Sequence, residues 1–177
     1  MNIRAIYPGT FDPVHYGHLD LMYRASAIFD TLIIGVFDHG RPSKSVLFSV
    51  EERVQMIREA LGDKPDNILI RPFGGLLVDF AAQEKAKVIV RGLRVFSDFE
   101  FEFRMALANQ RLKPEIEMIS FMTREEHSFL SSTIIREIAT FQGDISSMVP
   151  PNVATALQEQ FNGDNPNEYS VPVSLRD

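Results

Sequence analysis

Short apolar runs alternate with longer amphipathic segments along this chain. Five runs rich in Ile and Val predict β-strands, and several are apolar at successive positions, which is typical of strands covered on both faces. The predicted strands cover residues 3–7, 31–37, 67–73, 87–92 and 117–122. Helical spacing of apolar residues predicts the intervening helices near 17–29, 49–61, 75–86, 98–112 and 131–141, with a closing helix within 148–161.

Strand–helix alternation predicts an α/β fold with right-handed βαβ crossovers. We therefore expect one Rossmann-like domain, built on a five-stranded parallel sheet with helices on both faces. A chain of 177 residues is long enough for one domain with a hydrophobic core, but it is short for two such domains. We place the domain at residues 1–161. Residues 162–177 are polar, turn-rich and aperiodic, and we expect them to form a mobile tail.

Composition narrows the possible classes of function. The chain has 18 basic and 24 acidic residues, and the formal charge of −6 argues against a binder of nucleic acid or of an anionic membrane. There is no cysteine, so disulfides and thiolate chemistry are excluded. No apolar run approaches the ~20 residues that span a bilayer, and the start of the chain does not resemble a signal peptide. These features predict a cytoplasmic protein.

Basic and hydroxyl side chains follow several of the predicted strands. Lys44 lies after the second strand, and the fourth ends with Arg91 and Arg94. Ser and Thr at 131–133 open the helix that follows the fifth strand. The carboxyl ends of parallel strands meet at one edge, where open sheets bind their ligands. Cations and helix N-termini gathered at that edge favour a phosphate-rich ligand.

Each of these features also has a simpler interpretation. Arg91 and Arg94 could form ion pairs with acidic residues at 98–102, and the hydroxyls at 131–133 could be helix caps. His15 and His18 are three residues apart, as two zinc ligands on one helix face could be. The other histidines lack the spacing of zinc ligands and the chain has no cysteine, so a zinc site is disfavoured. The chain has no G-x-S-x-G, G-x-G-x-x-G or P-loop motif, which disfavours serine hydrolases, dinucleotide oxidoreductases and P-loop NTPases.

Two segments resemble signatures of the nucleotidylyltransferase superfamily, whose fold is Rossmann-like. "GTFDPVHYGH" is similar to its H-x-G-H region, and "SSTIIRE" to its second phosphate-binding signature. Several members of the superfamily share these two signatures, including nicotinate-mononucleotide adenylyltransferases, so the two signatures alone do not distinguish among them. "YPGTFDP", "PSKS" and above all "VRGLRVFSDFEFE" (90–102) resemble the phosphopantetheine adenylyltransferase family. The resemblance runs in register from about residue 4 to residue 161.

That resemblance implies transfer of an adenylyl group from ATP to 4′-phosphopantetheine. The products would be dephospho-coenzyme A and pyrophosphate, with Mg²⁺ accompanying ATP. It also implies a homohexamer and coenzyme A as a feedback ligand, with no nucleic-acid or membrane partner. Two alternatives stay open. One is an adenylyltransferase of the nicotinate-mononucleotide type, and the other is a nucleotide-binding sensor without turnover.

The resemblance also implies roles for single residues. Thr10 and Lys44 would orient the acceptor phosphate, Arg91 would help bind the pantetheine substrate, and Leu77 would line its arm. His18 would stabilise the transition state. We take Thr10, His18, Lys44 and Arg91 as the catalytic set, with no protein ligand to a metal. Contacts to ATP are implied for Thr10 and His18 and for Phe11, Gly17, Gly92, Leu93, Arg94, Glu102, His127, Ser128, Phe129, Leu130, Ser131, Ser132 and Thr133.

Four positions differ from the residues usual in that family. They are His15, where Thr is usual, together with Phe101, Gln110 and His127. None belongs to the expected catalytic set, so we expect the chemistry to be retained. We expect His15 to be far less important than His18.

Overall fold

Five parallel strands form the central sheet of the computed structural model, which describes residues 2–40, 46–63 and 65–162. The spatial order of the strands is β3-β2-β1-β4-β5. Their bounds are β1 (Arg4–Gly9), β2 (Thr31–Phe37), β3 (Ile68–Phe73), β4 (Val88–Leu93) and β5 (Glu117–Met122). The predicted Rossmann-like α/β architecture is confirmed, and every strand boundary lies within two residues of its predicted position.

Six helices connect and close the sheet within the described ranges. The second starts at a capping box, in which Ser49 Oγ accepts from the amide of Glu52 and the Glu52 carboxylate accepts from the amide of Ser49. A 3₁₀ turn at Glu125–His127 was not predicted. The helices are α1 (Tyr16–Ser26), α2 (Val50–Leu61), α3 (Leu77–Gln83), α4 (Phe96–Leu112), α5 (Ser132–Thr140) and α6 (Pro151–Asn162).

Apolar layers cover both faces of the sheet. Alternate strand residues point to opposite faces, so Ala5 and Ile34 join one buried cluster while Ile6 and Ile33 join the other. The larger cluster packs under α1, α2, α5 and α6, and the smaller packs under α3. Two covered faces explain why the strands are apolar at successive positions.

The direction of chain crossover changes at the centre of the sheet. From β1 the chain builds outward through β2 to β3, and it then returns to place β4 on the other side of β1. Ile6 of β1 is in register with Ile89 of β4, although 83 residues separate them in the sequence. A crevice opens beyond the carboxyl ends of two strands whose connections diverge in this way. The fold therefore predicts a ligand site between the ends of β1 and β4.

The outer side of α4 is unusually apolar. Phe96, Phe99 and Phe103 are each at least half exposed, and their rings stack in sequence at centroid distances of 6.2 and 5.9 Å. We refer to these three residues as the α4 stripe. Among the helices that the structure describes, we found none with the length and apolarity to cross a bilayer.

Candidate active site

A cleft of about 330 Å³ opens at the carboxyl ends of β1 and β4. It lies at the position that the strand order predicts. Its walls come from the β1–α1 turn, the end of β4, the first turns of α4 and the entrance of α5. The lining residues are Tyr7, Pro8, Gly9, Phe11, His15, Gly17, His18, Leu21, Arg91, Gly92, Arg94, Asp98, Glu102, Thr123, His127, Ser131, Ser132 and Thr133.

The β1–α1 turn is a strained element. Phe11 has a φ of 52°, a left-handed conformation that residues with a Cβ adopt only when their surroundings hold them there. Its ring folds back over the strand end, where a Cβ at position 9 would lie 2.8 Å from the ring. Gly9 is therefore required for this turn, and the buried ring of Phe11 forms part of the cleft floor.

His15 and His18 form a stacked pair at the start of α1. Their ring centroids are 3.6 Å apart, with an interplanar angle of 22°. The backbone N–H of His15 donates to Nδ1 of His18 at 3.3 Å. This bond requires an unprotonated Nδ1, so a neutral His18 carries its proton on Nε2. His18 can then present a neutral N–H donor to a ligand.

The surroundings of both rings favour the uncharged form. Burial chiefly lowers the pKa of His18 far below its usual value, and repulsion from a protonated His15 and from the charges of Arg94 and Arg91 adds to the effect. Burial, followed by the charges of Arg94 and His127, lowers the pKa of His15 to about 3. The pair is therefore uncharged at neutral pH. Within the described part of the chain, Nδ1 of His15 is buried without a hydrogen-bond partner.

Two arginines from β4 and its end stand opposite the histidines. Arg91 forms a bidentate pair with Glu102 through bonds of 2.8 and 2.6 Å, and it also donates to the carbonyl of Pro8. Arg94 pairs with Asp98 and donates to the carbonyl of Leu130. Burial opposes the charge on Arg91, but the bonds to Glu102 and its negative charge outweigh burial and raise the pKa of the guanidinium.

These ion pairs match the simpler interpretation of the two arginines, and they also anchor α4 to the cleft. Each guanidinium is held in a fixed orientation by a carboxylate from the first turns of that helix. Both arginines nevertheless line the cleft. They combine fixed geometry with positive charge, as recognition of a phosphate ligand requires.

The entrance of α5 supplies the wall beside the histidines. Ser131 caps the helix by accepting from the amide of Ile134 at 3.2 Å, and Ser132 Oγ donates to the carbonyl of Pro13 at 2.9 Å. The first amides of α5 and the positive end of its dipole therefore lie at the cleft wall, an arrangement that favours an anion.

Gly17 keeps the cleft open between its two sides. A Cβ at this position would lie 3.1 Å from Cε1 of His15 and 3.4 Å from Cβ of His127. A side chain there would fill the space between the turn and the segment that precedes α5. The absence of a Cβ lets a ligand approach the backbone at the start of α1.

With this geometry established, a comparison with known families identifies the chain. Residues 6–138 match the Cytidylyltransferase-like family, and this range includes the sheet from Ile6 of β1 onward and all the residues that line the cleft. The chain belongs to this family. Nucleotidyl transfer is the chemistry of such a family, and the Rossmann-like fold expected from the sequence is the one observed.

Two solved structures illustrate the similarity of the fold. One is a bifunctional NMN adenylyltransferase/ADP ribose pyrophosphatase from Francisella tularensis with AMP and a Mn ion, at 18% identity and a TM-score of 0.65. The match covers 92% of this chain and 52% of that one, so this chain spans about half its length. Another is a putative nicotinate-nucleotide adenylyltransferase from Vibrio parahaemolyticus, at 18% identity and a TM-score of 0.62, covering 89% and 99% of the two chains. At this identity the likeness shows the shared fold.

The predicted site residues divide into three groups in this cytidylyltransferase-like cleft. Eleven line it: Phe11, Gly17, His18, Arg91, Gly92, Arg94, Glu102, His127, Ser131, Ser132 and Thr133. Six described residues adjoin it in sequence or lie elsewhere on the same edge of the sheet: Thr10, Leu77, Leu93, Ser128, Phe129 and Leu130. Lys44 lies outside the described residues.

Leu77 and Thr10 are placed differently with respect to the cleft. Leu77 begins α3 after β3, two strands away from β1 at the same carboxyl edge. Thr10 lies between two lining residues, and its carbonyl accepts from Arg53 at 2.6 Å. A ligand that reaches both residues must extend from the cleft along the sheet edge toward β3.

Several lining residues were not predicted. Tyr7 is part of an apolar strand run and is indistinguishable by pattern from a core residue, although burial raises the pKa of its phenol and keeps it neutral. Asp98 was expected only as one of the possible ion-pair partners of the arginines, and the structure places it on the cleft wall as well. Thr123 follows the end of β5, a position that the strand-end argument identifies.

The described residues offer no ready-made cage for a metal ion. Across residues 2–40, 46–63 and 65–162, no group of three His, Asp or Glu side chains converges. Mg²⁺ is commonly held through substrate phosphates and water, with few protein ligands.

Proposed function

We propose that this protein transfers an adenylyl group from ATP to the phosphate of 4′-phosphopantetheine, giving dephospho-coenzyme A and pyrophosphate. The observation that supports it most is the position of segment 90–102, the part of the sequence most similar to the phosphopantetheine enzymes. Arg91, Gly92, Arg94 and Glu102 of this segment all line the cleft. The adenylyl part of the proposal also agrees with the cytidylyltransferase-like family to which the chain belongs.

The chemistry requires alignment and charge stabilisation. An oxygen of the acceptor phosphate attacks the α-phosphorus of ATP, a new P–O bond forms, and the bond to the bridging oxygen of pyrophosphate breaks. Pyrophosphate leaves with the electron pair, so no proton transfer is needed. His18 Nε2–H, the first amides of α5 and the cations Arg91 and Arg94 can stabilise the charge that spreads over the phosphates.

On this proposal, the acceptor occupies the side of the cleft nearest β2 and β3. Thr10 and Lys44 would orient its phosphate, and its pantetheine arm would extend toward the start of α3. Leu76 is 58% exposed and Leu77 is half-buried there, so the helix start offers an apolar surface to such an arm. Mg²⁺ would enter as part of the ATP substrate.

The second candidate is transfer of the adenylyl group to a nicotinate or nicotinamide mononucleotide. The observation in its favour is that the similar solved structures are named for those substrates. Judged by these structures alone, this candidate is better supported than the pantetheine one. Segment 90–102 and the apolar start of α3 are our reasons for placing pantetheine first.

Pyrophosphate release separates these possibilities. The protein is mixed with ATP, Mg²⁺ and either 4′-phosphopantetheine or nicotinate mononucleotide, and pyrophosphate is measured over time. We expect release with phosphopantetheine and little with the mononucleotide. Faster release with the mononucleotide would establish the second candidate. ATP binding without release under either condition would indicate a nucleotide sensor.

We further propose that copies of the chain assemble into a cytoplasmic homohexamer, with residues 1–161 as the catalytic unit and the tail 162–177 dispensable. The exposed α4 stripe supports self-association, because a large apolar patch usually marks a contact surface. Coenzyme A contains the adenosine, pyrophosphate and pantetheine groups of the reaction product. It would therefore compete for the same cleft as a feedback ligand.

A further inference from the structure

Two buried charged residues, Asp12 and Arg53, hold the strained β1–α1 turn in place without lining the cleft. Phe11 has its left-handed φ of 52° between Thr10 and Asp12, and such a conformation persists only where neighbouring contacts fix it. Arg53 bonds to the turn before Phe11, and the Asp12 carboxylate bonds to other elements after it. Arg53 and Asp12 are only 2% and 3% exposed.

Arg53 ties the turn to β2 and α2. Its Nη1 donates to the carbonyl of Thr10 at 2.6 Å and to the carbonyl of Phe37 at 2.9 Å. Its Nε donates to the carbonyl of Phe48 at 3.0 Å. One guanidinium therefore fixes the turn, the end of β2 and the start of α2 relative to one another, using the fork geometry that only Arg provides.

Asp12 ties the other side of the turn to two further elements. Its carboxylate accepts from the amides of Leu47 and Phe48 at 2.7 and 3.0 Å. It also accepts from Nη1 of Arg136, which lies on α5 three residues after Thr133 of the cleft wall. A buried carboxylate that accepts three hydrogen bonds strongly fixes the relative positions of the elements that donate them.

We propose that Asp12 and Arg53 form a buried clamp that holds the β1–α1 turn in the geometry required for adenylyl transfer. Both are positioning residues, because neither belongs to the described residues that line the cleft. They act through Thr10 and through Phe11, whose ring packs edge-on against His18 at 5.0 Å. The kinetic part of this inference rests on the proposed function.

Loss of the clamp should slow the reaction more than it weakens ATP binding. Asn at position 12 can accept one of the two backbone amides but opposes the other with its own N–H groups, and Lys at position 53 lacks the fork. Small displacements of reacting groups can cost ~10²-fold in rate. We expect Asp12→Asn and Arg53→Lys to lower kcat by about 10²-fold, with KM for ATP changed by less than about threefold.

Ser49→Ala is the matched control. Ser49 caps α2 four residues before Arg53, and its hydroxyl bonds to Glu52 without touching the turn. The control should lower the melting temperature, as loss of a helix cap does, and leave kcat within about twofold of the parent. Arg136→Lys is a milder clamp variant, since Arg136 is partly exposed, and it tests the joint at Asp12 if the buried variants do not fold.

The ring protons of His18 give a readout that does not depend on catalysis. Because the Phe11 ring lies edge-on to His18, a shift of the turn changes the ring-current field there, and the Hε1 resonance should move in each clamp variant but not in Ser49→Ala. A kcat loss with this movement supports the clamp.

Two results would overturn the clamp. One is a kcat that falls only in proportion to melting temperature in all variants, Ser49→Ala included. The other is an unmoved His18 resonance in folded clamp variants. If the parent protein releases no pyrophosphate with any acceptor, the proposed function fails, and the resonance alone then decides the clamp.

Discussion

Folded proteins usually bury apolar side chains and expose polar ones. The β1–α1 turn and helix α4 depart from this rule in opposite directions. The turn takes polar groups out of water, and His15 is only 4% exposed there. Helix α4 leaves apolar groups in water, and Phe96 is 86% exposed. Neither arrangement stabilises a lone chain. This difference is the reason for proposing that the turn serves a small ligand and that α4 serves a contact between copies of the chain.

The two regions are also mechanically connected. One side of α4 carries the stripe, and the other carries Asp98 and Glu102, which orient Arg94 and Arg91 in the cleft. A partner that covers the stripe would therefore contact α4, the helix whose carboxylates orient Arg91 and Arg94. Substitutions confined to the turn or to α4 should separate the contributions of the two regions.

Replacing His18 should have the largest effect on turnover. His18→Ala removes a fixed N–H donor at the place where charge develops, and loss of one such donor typically costs ~10²–10³ in kcat. KM for ATP should change much less, because the contact strengthens mainly in the transition state. Steady-state kinetics at varied ATP and saturating 4′-phosphopantetheine measures both quantities.

His15→Thr is the companion variant. We expect it to stay within roughly tenfold of the parent, equivalent to ~1.4 kcal/mol in the barrier. If His15→Thr proves to be the slower enzyme, the donor has been assigned to the wrong member of the stacked pair.

A charge placed in the α4 stripe should break assembly and leave the fold intact. Phe103→Glu replaces one of the three stacked aromatic rings with a carboxylate, and an aromatic side chain in the core of an interface is often worth about 2 kcal/mol or more. We expect smaller particles by light scattering after size exclusion, with an unchanged circular dichroism spectrum. Arg104→Glu, next to it on a charged part of the helix, is the control and should assemble normally. Equal assembly of both variants would argue against the stripe as a contact surface.

Acid should destabilise the protein through the buried histidine pair. His15 has a pKa of about 3 when folded and an ordinary value of about 6.5 when unfolded, so the unfolded chain binds the extra proton. Stability is therefore unaffected above pH 6.5 and falls as pH drops from 6.5 toward 3. At pH 5, His15 alone should remove about 2 kcal/mol from the free energy of unfolding.

Urea titrations of the parent and of His15→Thr at pH 8 and pH 5 test this expectation. The variant should lose less stability between the two pH values, because it no longer carries the titrating ring. A parallel loss in both proteins would place the acid sensitivity elsewhere in the chain.

Deletion of residues 163–177 should have the smallest effect. This predicted tail lies outside the described residues, and its polar composition implies little burial of apolar surface. We expect the melting temperature to stay within about 2 °C, which is less than 1 kcal/mol for a chain of this size. A larger drop, or altered assembly, would show that the tail contacts the body of the protein.

The sequence predicted the fold well because buried parallel strands leave a distinct pattern. The run 32–37 has no polar side chain at any position, and the flanking helices have clear periodicity. The 3₁₀ turn at Glu125–His127 escaped prediction because three residues are too few to show a period. The spatial order of the strands also depends on long-range pairing that no local pattern encodes.

Reasoning from strand ends singled out residues that the structure places in the cleft wall, but it did not single out the buried residues that support the β1–α1 turn. Arg53 sits in a charged helix segment and was not singled out, yet it is nearly fully buried under the turn. Asp12 had no assigned role, because its partners are 35 and 124 residues away in the sequence. Only the folded chain shows that these two charges meet at one turn.

A competition between acceptors tests the central claim most directly. The protein is given ATP and Mg²⁺ with equal concentrations of 4′-phosphopantetheine and nicotinate mononucleotide, and both products are quantified by mass spectrometry at low conversion. The product ratio equals the ratio of kcat/KM for the two acceptors. We expect dephospho-coenzyme A to dominate by a wide margin, since the pantetheine arm can extend along the sheet edge toward Leu77. A predominance of the nicotinate dinucleotide would contradict the account.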